Sequence, residues 1–367
     1  MKIVLMFTAF SLDGGSKSMV WVANQLSKAG HEVMLLSYFG KTCEQPLEDG
    51  VRFYCLNCES SKSRFVRNTV GMVQTISKLD RFLAKAKPDL VINFLDSVAQ
   101  VYLLINRLHN RFPVISSERV DPFSYSDNTA KRLAFFMGLS DGVVFQTEQA
   151  RSFYKNKPAI YDRSTVIPNP VVRTPEMEKL LQSGNAVRDN RIVTAGRLVI
   201  RQKRQDVLIR SFVEVHEKHP EISLHIFGDG VDRQRLQDMV RELGLEDCVV
   251  FEGKSMHILE DIHQARVFIL SSDYEGIPNA LIEAMMLGVP SVSTDCSPGG
   301  ARLLIDDGEN GFLVPVGDEK FLADRIIRLV EDDHIASHFS KKSVKIGDRF
   351  SEKSIAAMWC DFINNFG

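Results

Sequence analysis

EGIPNALIEAMMLGVP, residues 275–290, carries two glutamates eight positions apart, Glu275 just ahead of a helix and Glu283 inside it. Pro278 suits the first helical position, where its missing N–H costs nothing, and Gly288 with Pro290 stop the run after about three turns. The N–H groups of Asn279, Ala280 and Leu281 then have no intrahelical partner and form an anion site. Small residues there let a phosphate approach the backbone. Shortly before this helix lies VFILSS (267–272), and PSVSTD (290–295) directly follows it. A short apolar strand, a helix and a second short strand make a βα unit of a parallel sheet. The segment therefore offers an anion cradle flanked by two carboxylates at a strand end, which suits a sugar nucleotide. Taken alone, an ordinary capped helix explains it as well.

The same alternation runs outward in both directions. RIVTAGRL, SLHIFGDG and VVFEG precede it, and KIVLMF, HEVMLLSY, DLVINFL, PVISSE and GVVFQT fill the first half. Each is a short buried strand followed by a helical or loop segment, so the fold class is α/β with doubly wound parallel sheets. Val166-Ile167-Pro168-Asn169-Pro170 separates the two series, because its prolines force extended backbone. The expected domains are 1–168 and 169–351, with a ligand site beyond the carboxyl ends of the strands, in the cleft the two domains face. An amphipathic helix closes the chain at about 352–366.

The 367 residues suit two domains, and 44% apolar with 25% charged residues suit a globular protein. Net charge is −2, but residues 1–168 carry 21 Lys and Arg against 15 Asp and Glu, and the remainder 24 against 32. The halves are thus expected to meet different partners. The opening MKIVLMF reads as a strand with no leader, and no apolar run reaches the roughly 18 residues that span a bilayer. Cys55 and Cys58 form a lone CxxC without the second pair a zinc site needs. Reduced thiols and a cytoplasmic location are expected.

Further candidates sit at strand ends. Gly196-Arg197 ends a strand and Lys203 begins the next helix, which places two cations to hold a leaving diphosphate. Arg201 and Arg204 read as solvated. Gly228 and Gly230 end another strand where a ligand could pass closely, and Gly14-Gly15 follow the first strand in a phosphate-binding position. A dinucleotide-dependent oxidoreductase would require G-x-G-x-x-G after the first strand and an acid after the second. SLDGGSKS and LLSYFG supply neither.

GRL with a downstream QK, GDG, and above all E-G-x-P-N-x-L-x-E-A-M resemble the donor half of retaining glycosyltransferases of family 4, which have the GT-B fold. VIPNPV resembles that family's interdomain linker. The resemblance implies a donor-binding second domain, an acceptor-binding first domain, and a carboxyl-terminal helix that returns to the first. It implies that Glu283 holds ribose hydroxyls, that Glu275 faces the transferred sugar, and that Arg197 and Lys203 bind diphosphate. Lys254, Gly276 and Ile277 join the donor-side candidates on the same ground. Many relatives carry a histidine after the strand equivalent to PVISSE, whereas this chain reads Ser116-Ser117-Glu118-Arg119-Val120-Asp121-Pro122. That version resembles relatives that extend lipid-linked glycans in bacterial surface-polysaccharide pathways, often from UDP-N-acetylhexosamines. Glu118 and Arg119 therefore become candidates for contact with donor sugar or acceptor. No metal or other cofactor and no nucleic-acid partner is expected. A sugar-nucleotide epimerase and a non-enzymatic nucleotide-sugar binder remain alternatives on the same fold.

The first half has one more feature. From residue 60 to 88 there are seven Lys and Arg against one Asp. At 100° per residue, Phe65, Met72, Ile76, Leu79, Leu83 and Ala86 share one helical face, and Arg67, Lys78, Arg81 and Lys85 the opposite one. A helix over 64–87 is expected to pack by its apolar stripe and to offer its basic stripe to an anionic membrane, on the inner face of the cytoplasmic membrane.

Overall fold

The computed structural model describes residues 1–10, 14–58, 70–109, 111–182 and 188–366. Two compact units result, Met1–Asn169 with Lys353–Gly367, and Pro170–Glu352.

The first unit holds a seven-stranded sheet, all of whose pairings are parallel. Its strands are β1 (Lys2–Phe7), β2 (Glu32–Ser37), β3 (Val51–Cys55), β4 (Leu90–Asn93), β5 (Val114–Ser117), β6 (Gly142–Phe145) and β7 (Ser164–Val166), in the order β3-β2-β1-β4-β5-β6-β7. The near-continuous apolar runs follow from burial on both faces; Ile3, Val4, Leu5 and Met6 are all fully buried. Helix Val70–Ala86 lays Ile76, Leu79 and Leu83 on the core and leaves Lys78, Arg81 and Lys85 exposed. Phe65 and Arg67 lie outside the described residues. Helix Glu352–Ile363 joins this unit through Ile355, Trp359 and Ile363, all buried. A Cβ added to Gly142 would come within 2.7 Å of Phe366 and 3.0 Å of Phe362, so glycine lets β6 accept this helix.

The second unit repeats the plan with six parallel strands: β8 (Asp189–Ala195), β9 (Ser223–Phe227), β10 (Val249–Gly253), β11 (Ala265–Leu270), β12 (Ser291–Thr294) and β13 (Phe312–Val314). Their order is β10-β9-β8-β11-β12-β13. In both sheets the first strand of the series sits in the middle, with the chain winding outward to either side. Each therefore has a topological switch point, between β1 and β4 and between β8 and β11, where the loops leaving adjacent strands part and open a crevice. β3, β7 and β13 carry no long apolar run, and the strand count read from the sequence omits all three.

Candidate active site

The loops leaving β8 and β11 bring Gly196, Lys203 and Glu275 together. Beyond β8 the chain makes a one-turn helix, Ile200–Lys203, then passes Arg204 in the left-handed region (φ 48°) into helix Gln205–Lys218. Lys203 thus ends a helical turn rather than beginning one. Its side chain lies over Gly196, where an added Cβ would sit 3.5 Å from Cε. The ammonium reaches Glu275 Oε1 at 2.5 Å. Ser272 Oγ donates to the same oxygen at 2.7 Å, and Ser271 Oγ donates to the Lys203 carbonyl at 2.8 Å. Glu275 is only 8% exposed, so these charge-assisted bonds offset the cost of burying its charge.

Arg197, one residue beyond Gly196, is exposed. Arg204 corrects the expectation of a solvated face. Its guanidinium donates to both Asp273 oxygens, at 2.9 and 3.1 Å, and to Asp206 at 3.1 Å. Burial opposes ionisation of Asp206, yet hydrogen bonds from Arg204 and Arg210 hold its carboxyl below the ordinary range. The cluster pins Arg204, and so the turn that aims Lys203. Arg201 is exposed as expected.

Gly228 and Gly230 serve the backbone. At φ 122° a Cβ on Gly228 would lie 1.9 Å from the Gly196 carbonyl oxygen, and one on Gly230 would lie 2.3 Å from that of Leu198. Their absence of side chains lets the β9 loop press on the β8 loop, where Leu198 N–H donates to the Asp229 carbonyl at 3.0 Å. Both glycines thus shape the ledge that carries Arg197. Lys254 stands exposed at the end of the edge strand β10.

Pro278 proves to be the N-cap (φ −77°, ψ 105°), and the helix is the shorter Asn279–Met286, about two turns. Asn279, Ala280 and Leu281 are its first three residues, so their amides are the unpaired set, with Glu283 on the second turn. Leu281 is fully buried and anchors the helix. Gly276 and Ile277 abut a turn that the sequence reading passed over. A Cβ on Gly300 would fall 1.7 Å from the Gly276 carbonyl oxygen, and Glu275 N–H donates to the Ser297 carbonyl at 2.8 Å. The Gly299-Gly300 pair was the available signal for this second wall. Buried Cys296 stands in the same turn, and burial with the neighbouring Glu275 charge pushes its thiol up to about 12.

In the first unit, Gly14 and Gly15 open helix Gly14–Lys28. Ser18 Oγ on that helix and Arg119 Nη1 both donate to Asn169 Oδ1, at 3.3 and 2.9 Å. The Arg119 guanidinium lies over Phe94 (4.8 Å) and Trp359 (5.8 Å), and its Nε and Nη2 are buried without a hydrogen-bond partner. Burial drops its pKa to about 9. Glu118 turns into the core at 4% exposure. Tyr125 and Tyr154 donate to its Oε1 at 2.9 and 3.4 Å, but burial outweighs them and raises its carboxyl to about 7.

Residues 13–170 match the family described as glycosyl transferase 4-like domain, and residues 189–332 match glycosyl transferases group 1. The chain is a glycosyltransferase of GT-B type. The glycosyltransferase is 27% identical to an uncharacterized glycosyltransferase of Methanocaldococcus jannaschii, over 76% of this chain and 80% of that one. It is 22% identical to the amylovoran biosynthesis glycosyltransferase AmsD of Erwinia amylovora, over 99% of both. Its fold matches Anabaena Alr3699/HepE, solved in complex with UDP, with a TM-score of 0.79 at 18% identity over the whole of both chains.

Proposed function

We propose that this glycosyltransferase moves a hexose or N-acetylhexosamine from a UDP-linked donor to a lipid-linked glycan acceptor, with retention at the anomeric carbon, in bacterial polysaccharide or glycan assembly. The observation that carries the reading is the ion pair of half-buried Lys203 with buried Glu275 at the β8–β11 switch point. Breaking a glycosyl phosphate separates charge. The sugar becomes cationic at its anomeric carbon and the departing diphosphate gains negative charge. A carboxylate and an ammonium fixed side by side match both developing charges, and in a site of low polarity they need no reorganisation as the bond stretches. Arg197 and the amides of Asn279, Ala280 and Leu281 extend the positive side towards the diphosphate, and Glu283 takes the ribose hydroxyls. Lys254, Gly276 and Ile277 border the nucleotide and sugar. Arg119 and Gly14-Gly15, in the acceptor-binding unit, attend the acceptor. The cations and amides do the work a divalent metal does elsewhere, so no metal is required. The departing phosphate takes the acceptor's proton, so no separate protein base is needed.

A relative named for amylovoran biosynthesis and a fold neighbour that holds UDP support the donor and acceptor classes. The test is nucleotide release from a panel of UDP- and GDP-sugars, with anomeric configuration of the product read by NMR. UDP-specific release with retention is the expected result, and it should survive excess EDTA. Inversion, or activity that returns only with added Mg²⁺ or Mn²⁺, would overturn the mechanism.

A further inference from the structure

The second unit has a cavity at the end of its sheet away from Lys203 and Glu275. Arg188 immediately precedes β8, His263 lies just ahead of β11, and Pro290 immediately precedes β12. All three line a hollow of about 490 Å³ at the amino ends of these strands, a size that holds a small organic molecule. Helix Asp333–Ser343 closes it with one face, Ala336, Ser337, Ser340 and Lys341, at the spacing of neighbours on a helix surface.

Charge in this wall is unbalanced. Half-buried Arg188 donates only to neutral groups: Nη1 to the His263 and Ala265 carbonyls, both at 3.1 Å, and Nη2 to the Gly288 carbonyl at 2.5 Å and to Ser340 Oγ at 3.5 Å. No carboxylate pairs with it among the described residues, and burial drops its pKa to about 10. Arg266 meets Asp333 at 3.2 Å, but its Nε is buried without a partner. Lys341 is exposed and makes no ion pair among the described residues. Asp333 is thus the one acid of the lining, among the described residues, against three cations. His263, 7% exposed, has both ring nitrogens buried without a hydrogen-bond partner. Burial and the Arg188 charge hold its pKa below the ordinary value, against a smaller pull from the Leu287 backbone, so the ring is neutral at pH 7. Folded proteins pair buried charge and satisfy buried polar atoms, and exceptions gathered around one cavity call for a partner.

We propose that this cavity binds a small organic anion, an acid group carried on a compact apolar body. The acid group stands against Arg188, Arg266 and Lys341 and supplies the counter-ion that the protein lacks. The apolar body meets half-buried Leu181, Ala336 and Val344. The loops that carry Lys203 and Glu275 leave the opposite ends of β8 and β11, so this site is separate from the donor site. Its occupancy is measured without any transfer reaction.

The test is calorimetric titration of the full chain with phenyl phosphate and benzoate. Benzyl alcohol serves as the neutral counterpart, and inorganic phosphate as the anion without an apolar body. Phenyl phosphate and benzoate are expected to bind with a Kd of about 1 mM or tighter. Benzyl alcohol and inorganic phosphate should bind about tenfold more weakly or worse, each lacking one half of the recognition. Lys341→Glu reverses an exposed charge at the rim, and Ser337→Asp adds a negative one a turn away. Each should weaken phenyl phosphate about threefold or more, and the double variant about tenfold. Lys203→Ala, at the donor loops, should bind phenyl phosphate as the parent does. Circular dichroism confirms that each variant is folded. The proposal fails if neither anion binds, if benzyl alcohol matches benzoate, or if inorganic phosphate matches phenyl phosphate. It also fails if the folded double variant binds unchanged, or if Lys203→Ala abolishes binding, because phenyl phosphate would then occupy the donor loops.

Discussion

Whereas Lys203 and Glu275 in the second unit neutralise each other at 2.5 Å, Glu118 and Arg119 in the first are sequence neighbours that share no ion pair among the described residues. Glu275 keeps company with an ammonium and a hydroxyl, and Arg204 with two carboxylates. Glu118 has only two phenols, and Arg119 an amide and two aromatic faces. The physical consequence differs. Paired charges hold each other's geometry, which a transition state can use. Unpaired ones are driven towards neutrality by burial, Glu118 up to about 7 and Arg119 down to about 9. One unit keeps charge ready for chemistry; the other keeps polar groups whose state depends on what they face.

The sharpest break in this contrast is at the pair. Glu275→Ala and Lys203→Ala should each lower kcat by about a hundredfold to a thousandfold. Because the two act as a unit, the double variant should be little worse than either single one. Additive losses in steady-state kinetics would show that they act separately. Arg197→Ala should cost about tenfold or more, and Glu283→Ala should mainly raise the donor KM, since uniform binding is lost with the ribose contact.

Next in size is Glu118. Its carboxyl is raised in the fold, so its contribution to stability is present in full below about pH 4.5 and is lost as pH rises through about 7. Glu118→Gln keeps the uncharged form at every pH. It should gain on the parent by up to about 3 kcal/mol in alkaline buffer and show no gain near pH 4. Urea denaturation at both pH values measures the difference. An equal effect at both would mean the carboxyl is not driven up by burial.

The smallest effect is expected at Arg204. Its pairs with Asp273 and Asp206 are about a quarter exposed on the arginine side, so Asp273→Asn should cost only about 1 kcal/mol of stability. It should nonetheless lower turnover more than that loss of stability explains, because Arg204 sets the turn that aims Lys203. Unchanged kcat would reduce Arg204 to a surface brace.

Most of the architecture was legible because burial on both faces writes itself as apolar runs. KIVLMF became β1 with its boundaries unchanged, and HEVMLLSY and VFILSS became β2 and β11 with boundaries shifted by one or two residues. VRFYC and STV did not announce themselves, since β3 is an edge strand with an exposed Arg52 and β7 is three half-buried residues. At the site, residue types at strand ends were readable, but partnerships were not. Nothing local to Lys203 indicates that its ammonium meets a carboxylate 72 positions away. Arg204 looked solvated because its binding partner Asp273 arrives from another loop, and sequence does not say that the Gly196 carbonyl presses on Gly228. Glu118 could be named a candidate, while the two tyrosines that turn it inward come from positions 125 and 154.

The return of helix Glu352–Ile363 to the first unit bears on synthesis at the ribosome. Pro170–Glu352 is one uninterrupted segment, whereas the first unit needs residues from both ends of the chain. Translation therefore inverts the usual amino-to-carboxyl order of completion. The residues of the second unit are all made before Trp359, which supplies one of the two aromatic faces against the Arg119 guanidinium. A chain truncated after Glu352 should yield a protease-resistant second unit and a first unit that is still cleaved, and only restoring residues 353–366 should protect both.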